Sequence, residues 1–280
     1  MSTPGRPAPA APPIEPLRRP RSGVALVPGQ IRYQLLLLVR NPMAPFISVV
    51  MPLMLLVALD LVTPEMTLAS LGHETIAQFL TPAMTSFAVI NAGFVNIVIG
   101  MTLGRELGIL KRLRNTPLPS WAYLAGRLAA AAIVAAIASA MVIGVGIVFL
   151  HAHLETSALP GLLATLALGF VTSCALGMAA SGFVRSAEAA LPLAYAVLLP
   201  VAFVSQVFFP SPSEAEWLRH VADALPVAPF ASAMQKAFLP GAHGLSGGQA
   251  AVLLAWAGGG LVLAVINYRW EPRRDRASRR

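Results

Sequence analysis

The sequence predicts an all-α membrane protein with six transmembrane helices, cytoplasmic N- and C-termini, an N-terminal interfacial helix and an outer hairpin of two short helices before the sixth span. Three observations predict it. Of the 280 residues, 56% are hydrophobic and 11% charged, with a mean hydropathy of +0.71. Soluble domains carry about 25% charged residues, so most of this surface must face lipid, and water-soluble enzymes, nucleic-acid binders and disordered proteins are set aside together. Apolar runs of about 18 residues or more can cross a hydrocarbon core of roughly 30 Å, and six candidates occur, over residues 44–62, 79–103, 125–150, 159–184, 188–209 and 249–268. Finally, all of the 20 basic residues except Arg219 and Lys236 fall before the first span, in the second and fourth loops or in the tail. The other three loops carry Glu65, Glu74, Glu155, Glu214, Glu216 and Asp223. Basic residues are retained on the cytoplasmic side, so both termini belong there, and Trp121, Tyr123, Tyr268 and Trp270 sit where interfacial aromatics should.

Residues 1–28 hold eight of the 24 prolines, several arginines and no apolar core for a signal peptide, which predicts a disordered cytoplasmic tail. Residues 30–40, QIRYQLLLLVR, mix Arg32, Gln34 and Arg40 with a leucine cluster and end at Asn41 and Pro42. This pattern suits a helix lying in the cytoplasmic interface. Pro52 in the first span, and Pro192 and Pro200 in the fifth, predict kinks where a backbone hydrogen bond is lost. The single cysteine, Cys174, lies in an apolar run and reads as a small packing residue, excluding an intramolecular disulfide and a thiolate metal site.

The polar inventory inside the spans is thin: Thr85, Asn91 and Asn96 in the second, Thr172 and Ser173 in the fourth, Ser205 and Gln206 in the fifth, and Asp60 near the outer end of the first. No span centre carries an ionised residue, which argues against a proton-coupled carrier or an ion channel. Energy must then come from elsewhere. On an ideal helix Thr85 and Asn96 project within about 20° of each other and share a face with Val89, Ala92, Gly93 and Gly100, a stripe that favours close helix packing over a ligand path. Asn91 points away, toward the side of Phe87, Val95 and Val98. Thr85, Asn91, Asn96, Ser205 and Gln206 remain the candidates for a substrate path.

In the long outer segment 210–248, Ser213 and Glu216 have capping-box spacing, and Trp217, Val221 and Leu225 form a helical stripe. A second stripe, Phe230, Met234 and Phe238, follows Pro226 and Pro229. Two amphipathic helices are expected to dip into the outer leaflet or to cover the fifth and sixth spans.

Leu245 to Gln249 spell LSGGQ, the signature by which an ABC ATPase clamps nucleotide, yet no Gly-Lys pair exists to build a phosphate-cradling loop. The five residues open directly into the sixth span on its outer side, where Ser246 suits a helix cap. Gly244 to Gly248 also fit GxSxG, but a serine protease needs a histidine beside the serine, and all five histidines fall in outer loops. His151 and His153 offer too few ligands for a metal site. Neither catalytic nor metal-binding residues are expected.

The loop after the second span is the most informative. It reads RELGILKRLRNTPLPSWAYLAGR from Arg105 to Arg127, with Leu107, Leu110 and Leu113 on one helical stripe from Arg105 to Arg114 and Pro117 as its stop. A charged amphipathic helix projecting from paired spans is a surface that another protein can grip. This loop resembles that of ABC type-2 exporter permeases, particularly the daunorubicin-resistance type. So do the helix ending in Arg40-Asn41-Pro42 and the outer stretch FFPSPSEAEWLRHVADALPVAPF, although the family's usual proline before the Trp is replaced here by Ala215 and Glu216. The resemblance implies a six-span permease domain over 29–270, followed by a basic cytoplasmic tail over 271–280.

It also implies a subunit that pairs with a second permease, as a homodimer or with a paralogue, in the lipid of the inner (plasma) membrane. A separate ABC ATPase would bind the ATP and magnesium, so this chain needs no cofactor and no nucleic acid. Arg105, Glu106, Leu107, Gly108, Leu110, Lys111, Arg112 and Leu113 would then couple to the ATPase, with the connecting helix and its Arg32 and Arg40 beside them. A hydrophobic drug, antibiotic or lipid-like molecule would be exported. The competing classes are a non-transporting membrane scaffold and an intramembrane serine protease.

Overall fold

The computed structural model describes residues 23–40, 46–62, 76–109, 119–205, 207, 216–239 and 244–267, and among them there is no strand. Helix α1 covers Gly23–Arg40, starting upstream of the expected Gln30. Helix α2, Phe46–Val62, opens with a π-helical turn, Phe46–Val50, and continues as α-helix over Met51–Val62. Helix α3, Ile76–Glu106, is one rod in three pieces: α-helical Ile76–Ile90, π-helical Asn91–Val95 and α-helical Asn96–Glu106. Then come α4, Ser120–Val148, and a 3-10 turn that leads into α5, Leu159–Ser181. Helix α6 covers Ala187–Val204, α7 Glu216–Ala224, α8 Val227–Lys236 and α9 Gly247–Asn267.

Five of these helices, α3, α4, α5, α6 and α9, are long and apolar enough to cross a membrane, and α2 is a shorter apolar helix. The span expected over 44–62 is described only from Phe46. The fifth span, expected to reach residue 209, ends at Val204, where Ser205 turns out of the helix; Pro192 and Pro200 lie within its continuous helical run. At 18 residues it is about 27 Å long, just enough for the hydrocarbon core.

Helix α3 is the axis of the molecule. Every residue from Ile76 to Val95 is buried, because α2, α4, α5, α6 and α8 surround it. A helix that is apolar all round belongs in such a place, and glycines let its neighbours come close. A Cβ on Gly93 would fall 2.7 Å from the Ser173 Cβ of α5, and one on Gly177 of α5 would fall 2.8 Å from the Phe94 carbonyl oxygen. Helix α9 crosses α5 in the same way at Gly260, 2.9 Å from Ala175. Small residues at crossings substitute for the hydrophobic driving force that lipid does not supply. Cys174 is buried at this contact, as a packing residue should be.

The face expected to join Thr85 to Asn96 is broken by the π turn, which winds the chain less per residue and rotates everything after it. Its cause is local. Asn91 Nδ2 donates to the Phe87 carbonyl at 2.9 Å, the acceptor that the Asn91 backbone amide would use in an α-helix. The two π turns, in α2 and α3, lie against each other, and Asn96 Nδ2 donates to Ser48 Oγ at 2.9 Å across that contact.

At the end of the bundle where α3 starts, Gln78 ties three segments together. Its Nε2 donates to the His153 carbonyl at 2.8 Å and to the Phe238 carbonyl at 2.5 Å, and its Oε1 accepts the His153 N–H at 2.7 Å. His151 adopts a left-handed conformation, φ 58°, at the turn after α4. The two short helices α7 and α8 form as expected. Phe230, Met234 and Phe238 are fully buried, whereas Trp217 and Val221 are exposed. Ser213, the expected cap of α7, lies outside the described residues, and so do Tyr268, Trp270 and the tail. Of the described interfacial aromatics, Trp121 is half exposed while Tyr123 is buried, with its hydroxyl beside Gly104.

Candidate functional site

Arg105 and Glu106 form the last turn of α3 rather than the start of a separate amphipathic helix. The helix ends because Leu107 caps it and Gly108 takes φ +64°, a left-handed conformation open to glycine at no steric cost. The expected run from Arg105 to Arg114 is therefore interrupted at Gly108. Leu107 is exposed, and Leu110, Lys111, Arg112 and Leu113 lie outside the described residues.

The two charged side chains at this end both reach across to the connection between α5 and α6. The Arg105 guanidinium donates to the Ser181 carbonyl at 3.2 Å and to the Val184 carbonyl. The Glu106 carboxylate accepts the N–H of Ala187, the first residue of α6, at 2.5 Å, while Ser186 Oγ accepts the Ala189 N–H from the cap position. A cation thus sits on the carbonyl end of α5 and an anion on the amide end of α6, which suits both helix dipoles. The last turn of α3 holds α5 and α6 in register.

Arg127 makes the neighbouring link. Its guanidinium lies across Gly100 of α3, donating to the Asn96 carbonyl at 3.2 Å and to Gln34 Oε1 of α1 at 3.4 Å. Helix α1 packs on α4, with Gln30 against Gly126, and its Arg32 and Arg40 are exposed.

The candidate path residues occupy different places. Thr85 is buried inside α3, bonded back to the Thr81 carbonyl at 2.7 Å. Asn91 Oδ1 accepts the Tyr195 hydroxyl of α6 at 2.6 Å, and Asn96 faces Ser48. Ser205 is buried beyond α6 with no hydrogen-bond partner for its hydroxyl among the described residues; Gln206 lies outside them. Separately, a cavity of about 580 Å³ opens between α3, α5, α6, α8 and α9, lined almost wholly by apolar side chains. Thr172 and Ser173 border it; Thr85, Asn91, Asn96 and Ser205 do not.

The LSGGQ stretch is a helix start. Gln249 Oε1 accepts the Ser246 N–H at 3.0 Å, Ser246 Oγ accepts the Gln249 N–H at 3.4 Å, and Gln249 Nε2 donates to Ser232 Oγ at 2.7 Å. This is a capping box with glutamine in the third position. The Ser246 hydroxyl itself donates to Gln249 Oε1.

Sequence reasoning missed Tyr195, Gln78 and the reach of Arg127. A tyrosine in the middle of a span carries a polar tip that needs a partner, and that signal was readable; Gln78 stood just outside the expected span.

A family model described as the ABC-2 type transporter matches residues 30–239. The chain belongs to this family. No curated protein gives a significant match. The ABC-2 chain is thus the membrane domain of an ABC transporter and a multi-pass membrane protein, of a family that is not itself catalytic and normally works with an ABC ATPase. The match begins at Gln30 in α1 and runs to Leu239, just past Phe238, so it takes in the Arg105–Glu106 clamp and the whole enclosure of α3.

Proposed function

We propose that this ABC-2 chain is the permease subunit of an ATP-driven exporter of the drug-resistance type, with six transmembrane helices and both termini in the cytoplasm. It pairs with a second permease subunit in the inner membrane and moves a hydrophobic drug, antibiotic or lipid-like molecule outward. ATP and magnesium are handled by the separate ATPase. That ATPase docks on the segment from Arg105 to Leu113, with α1 and its Arg32 and Arg40 alongside. Thr85, Asn91, Asn96, Ser205 and Gln206 stand as the candidate path residues, with Asn91 and Tyr195 joining the two helices that would move against each other.

The observation that carries the coupling role is the double reach of Arg105 and Glu106 to the α5–α6 connection. Force applied by an ATPase to the loop beyond Gly108 has a short route through these two side chains into α6. Within that segment Glu106 acts as a positioning residue, tying the docked end of α3 to the first residue of α6. The test is co-purification with the ATPase, ATP hydrolysis and export in vesicles, for Glu106→Ala and Glu106→Gln beside the control Glu271→Ala.

Glu106→Ala is expected to bind the ATPase and hydrolyse ATP while exporting several-fold less. Glu106→Gln, whose amide oxygen can still accept the Ala187 N–H, recovers part of the loss. Parental export by Glu106→Ala would end the coupling role, and normal transport after replacement of residues 107–118 would end the docking assignment.

A further inference from the structure

We propose that Arg127 is a second positioning residue for transport, fastening α1 to α3 directly after the π turn so that movement of α1 reaches the middle of the bundle. The inference rests on the reading of α1 as lying beside the docked ATPase. It is separate from the Glu106 route, which ends on α6.

Arg127 follows Ser120, the first residue of α4, by seven positions, about 10 Å along the helix. A lone arginine at such a depth ordinarily runs its side chain back toward water. This one crosses to α3 instead, and the sequence makes room for it, since a Cβ on Gly100 would fall inside the guanidinium. The residue before it makes room for α1 in the same way: a Cβ on Gly126 would fall 2.5 Å from the Gln30 Cβ. Gln34, one turn further along α1, is only 5% exposed. Its Oε1 accepts from Arg127 Nη1 at 3.4 Å, while Nη2 donates to the Asn96 carbonyl at 3.2 Å. Two consecutive residues of α4 thus seat α1 and bind it to α3.

Strength alone does not explain this choice of side chain. Among the described residues no carboxylate pairs with Arg127, and its Nε and the Gln34 Nε2 are both buried without an acceptor. Buried donors left without partners cost free energy, and buried charges can be replaced by apolar side chains of similar size with little loss of stability. What an apolar side chain lacks is direction. The planar guanidinium holds acceptors on two different helices in a fixed geometry.

The acceptor on α3 gives that direction a use. Asn96 is the first residue after the π turn Asn91–Val95, and its side chain donates to Ser48 in the π turn of α2. Asn91, at the other end of the turn, is bound by Tyr195 of α6. The π turn therefore lies between an anchor from α6 and an anchor from α1, at the break in α-helical winding where the two halves of α3 can turn against each other.

The test uses the permease assembled with its ATPase in vesicles, with daunorubicin as the export probe, and compares Gln34→Leu, Arg127→Met and Arg127→Lys. Gln34→Leu breaks the α1 contact and leaves the Asn96 contact in place. Arg127→Met is expected to melt at the parental temperature or above, and Gln34→Leu near it, while both export several-fold less per ATP hydrolysed. Arg127→Lys, which keeps the charge, recovers part of the loss. Parental export per ATP in Gln34→Leu and Arg127→Met would overturn the inference, and Gln34→Leu decides alone where Arg127→Met does not fold.

A second readout needs no cargo. In a Cys174→Ser background, spin labels on Val39→Cys of α1 and Leu103→Cys of α3, both exposed positions, report the separation of the two helices before and after ATP is added. The separation is expected to stay constant with the parental link and to shift or broaden on ATP addition in Gln34→Leu and Arg127→Met. A separation that changes with ATP despite the intact link, or one that the two variants leave constant, would overturn the inference whatever the export. The expected separations together with no export by the parental chain would support the link and count against the export reading alone.

Discussion

Asn91 holds two bonds at once, one back to the Phe87 carbonyl and one from the Tyr195 hydroxyl, and the first of them goes with the π turn of α3. Polar links within membrane bundles average about 0.6 kcal/mol and reach about 1.7. Asn91→Ala and Tyr195→Phe should each lower the unfolding free energy in detergent by about 1 kcal/mol, and the double variant by less than the sum. Additive losses would mean that the two side chains act independently. Ser246→Ala should cost about 1 kcal/mol of stability through the lost cap while ATP turnover of the assembled transporter stays at the parental rate; a fall in turnover with normal folding would revive the nucleotide signature. The cap was legible because its two members are neighbours in the chain. The partners of Asn91 and Asn96 were not, since spacing along one helix carries no information about which side chain a second helix presents.

Helix ends are decided by single residues. Gly108 ends α3 in a left-handed conformation with open space around it, and His151 takes the same conformation with a Cβ to accommodate. Gly108→Ala should therefore destabilise by about 1 kcal/mol and His151→Gly, whose side chain is exposed, should stabilise by a similar amount. Thermal unfolding checks both, and equal responses would remove backbone strain as the cause. Gly177→Leu sets a side chain against the Phe94 backbone, which cannot yield as a flexible side chain would, and should cost about 1–3 kcal/mol and lower the folded yield. Apolar runs announced α3, α4, α5 and α9 well but misplaced both ends of α3. Gln78 looked too polar to belong, and Arg105 and Glu106 looked like loop, because a hydropathy window does not register that carbonyls and amides of other helices will receive them.

Across the whole molecule, the sidedness read from the basic residues predicts a labelling pattern. In a Cys174→Ser background, an impermeant thiol reagent applied to intact cells should modify Glu155→Cys and leave Asn115→Cys untouched; the reverse pattern would invert the topology. That expectation rests on charge, which acts over whole loops and not through contacts. The enclosure of α3 was hidden for the opposite reason, since its neighbours come from chain positions as distant as Phe46 and Phe238. That enclosure also bears on how the protein is made. Helix α3 emerges from the ribosome early, with Gln78 and Asn91 aboard, but the Phe238 carbonyl and the Tyr195 hydroxyl that engage them are synthesised only later. Until then these polar groups face lipid or the insertion machinery. A chain released before residue 239 leaves its own axis unfinished, and cellular quality control would meet it as a helix still waiting for its partners.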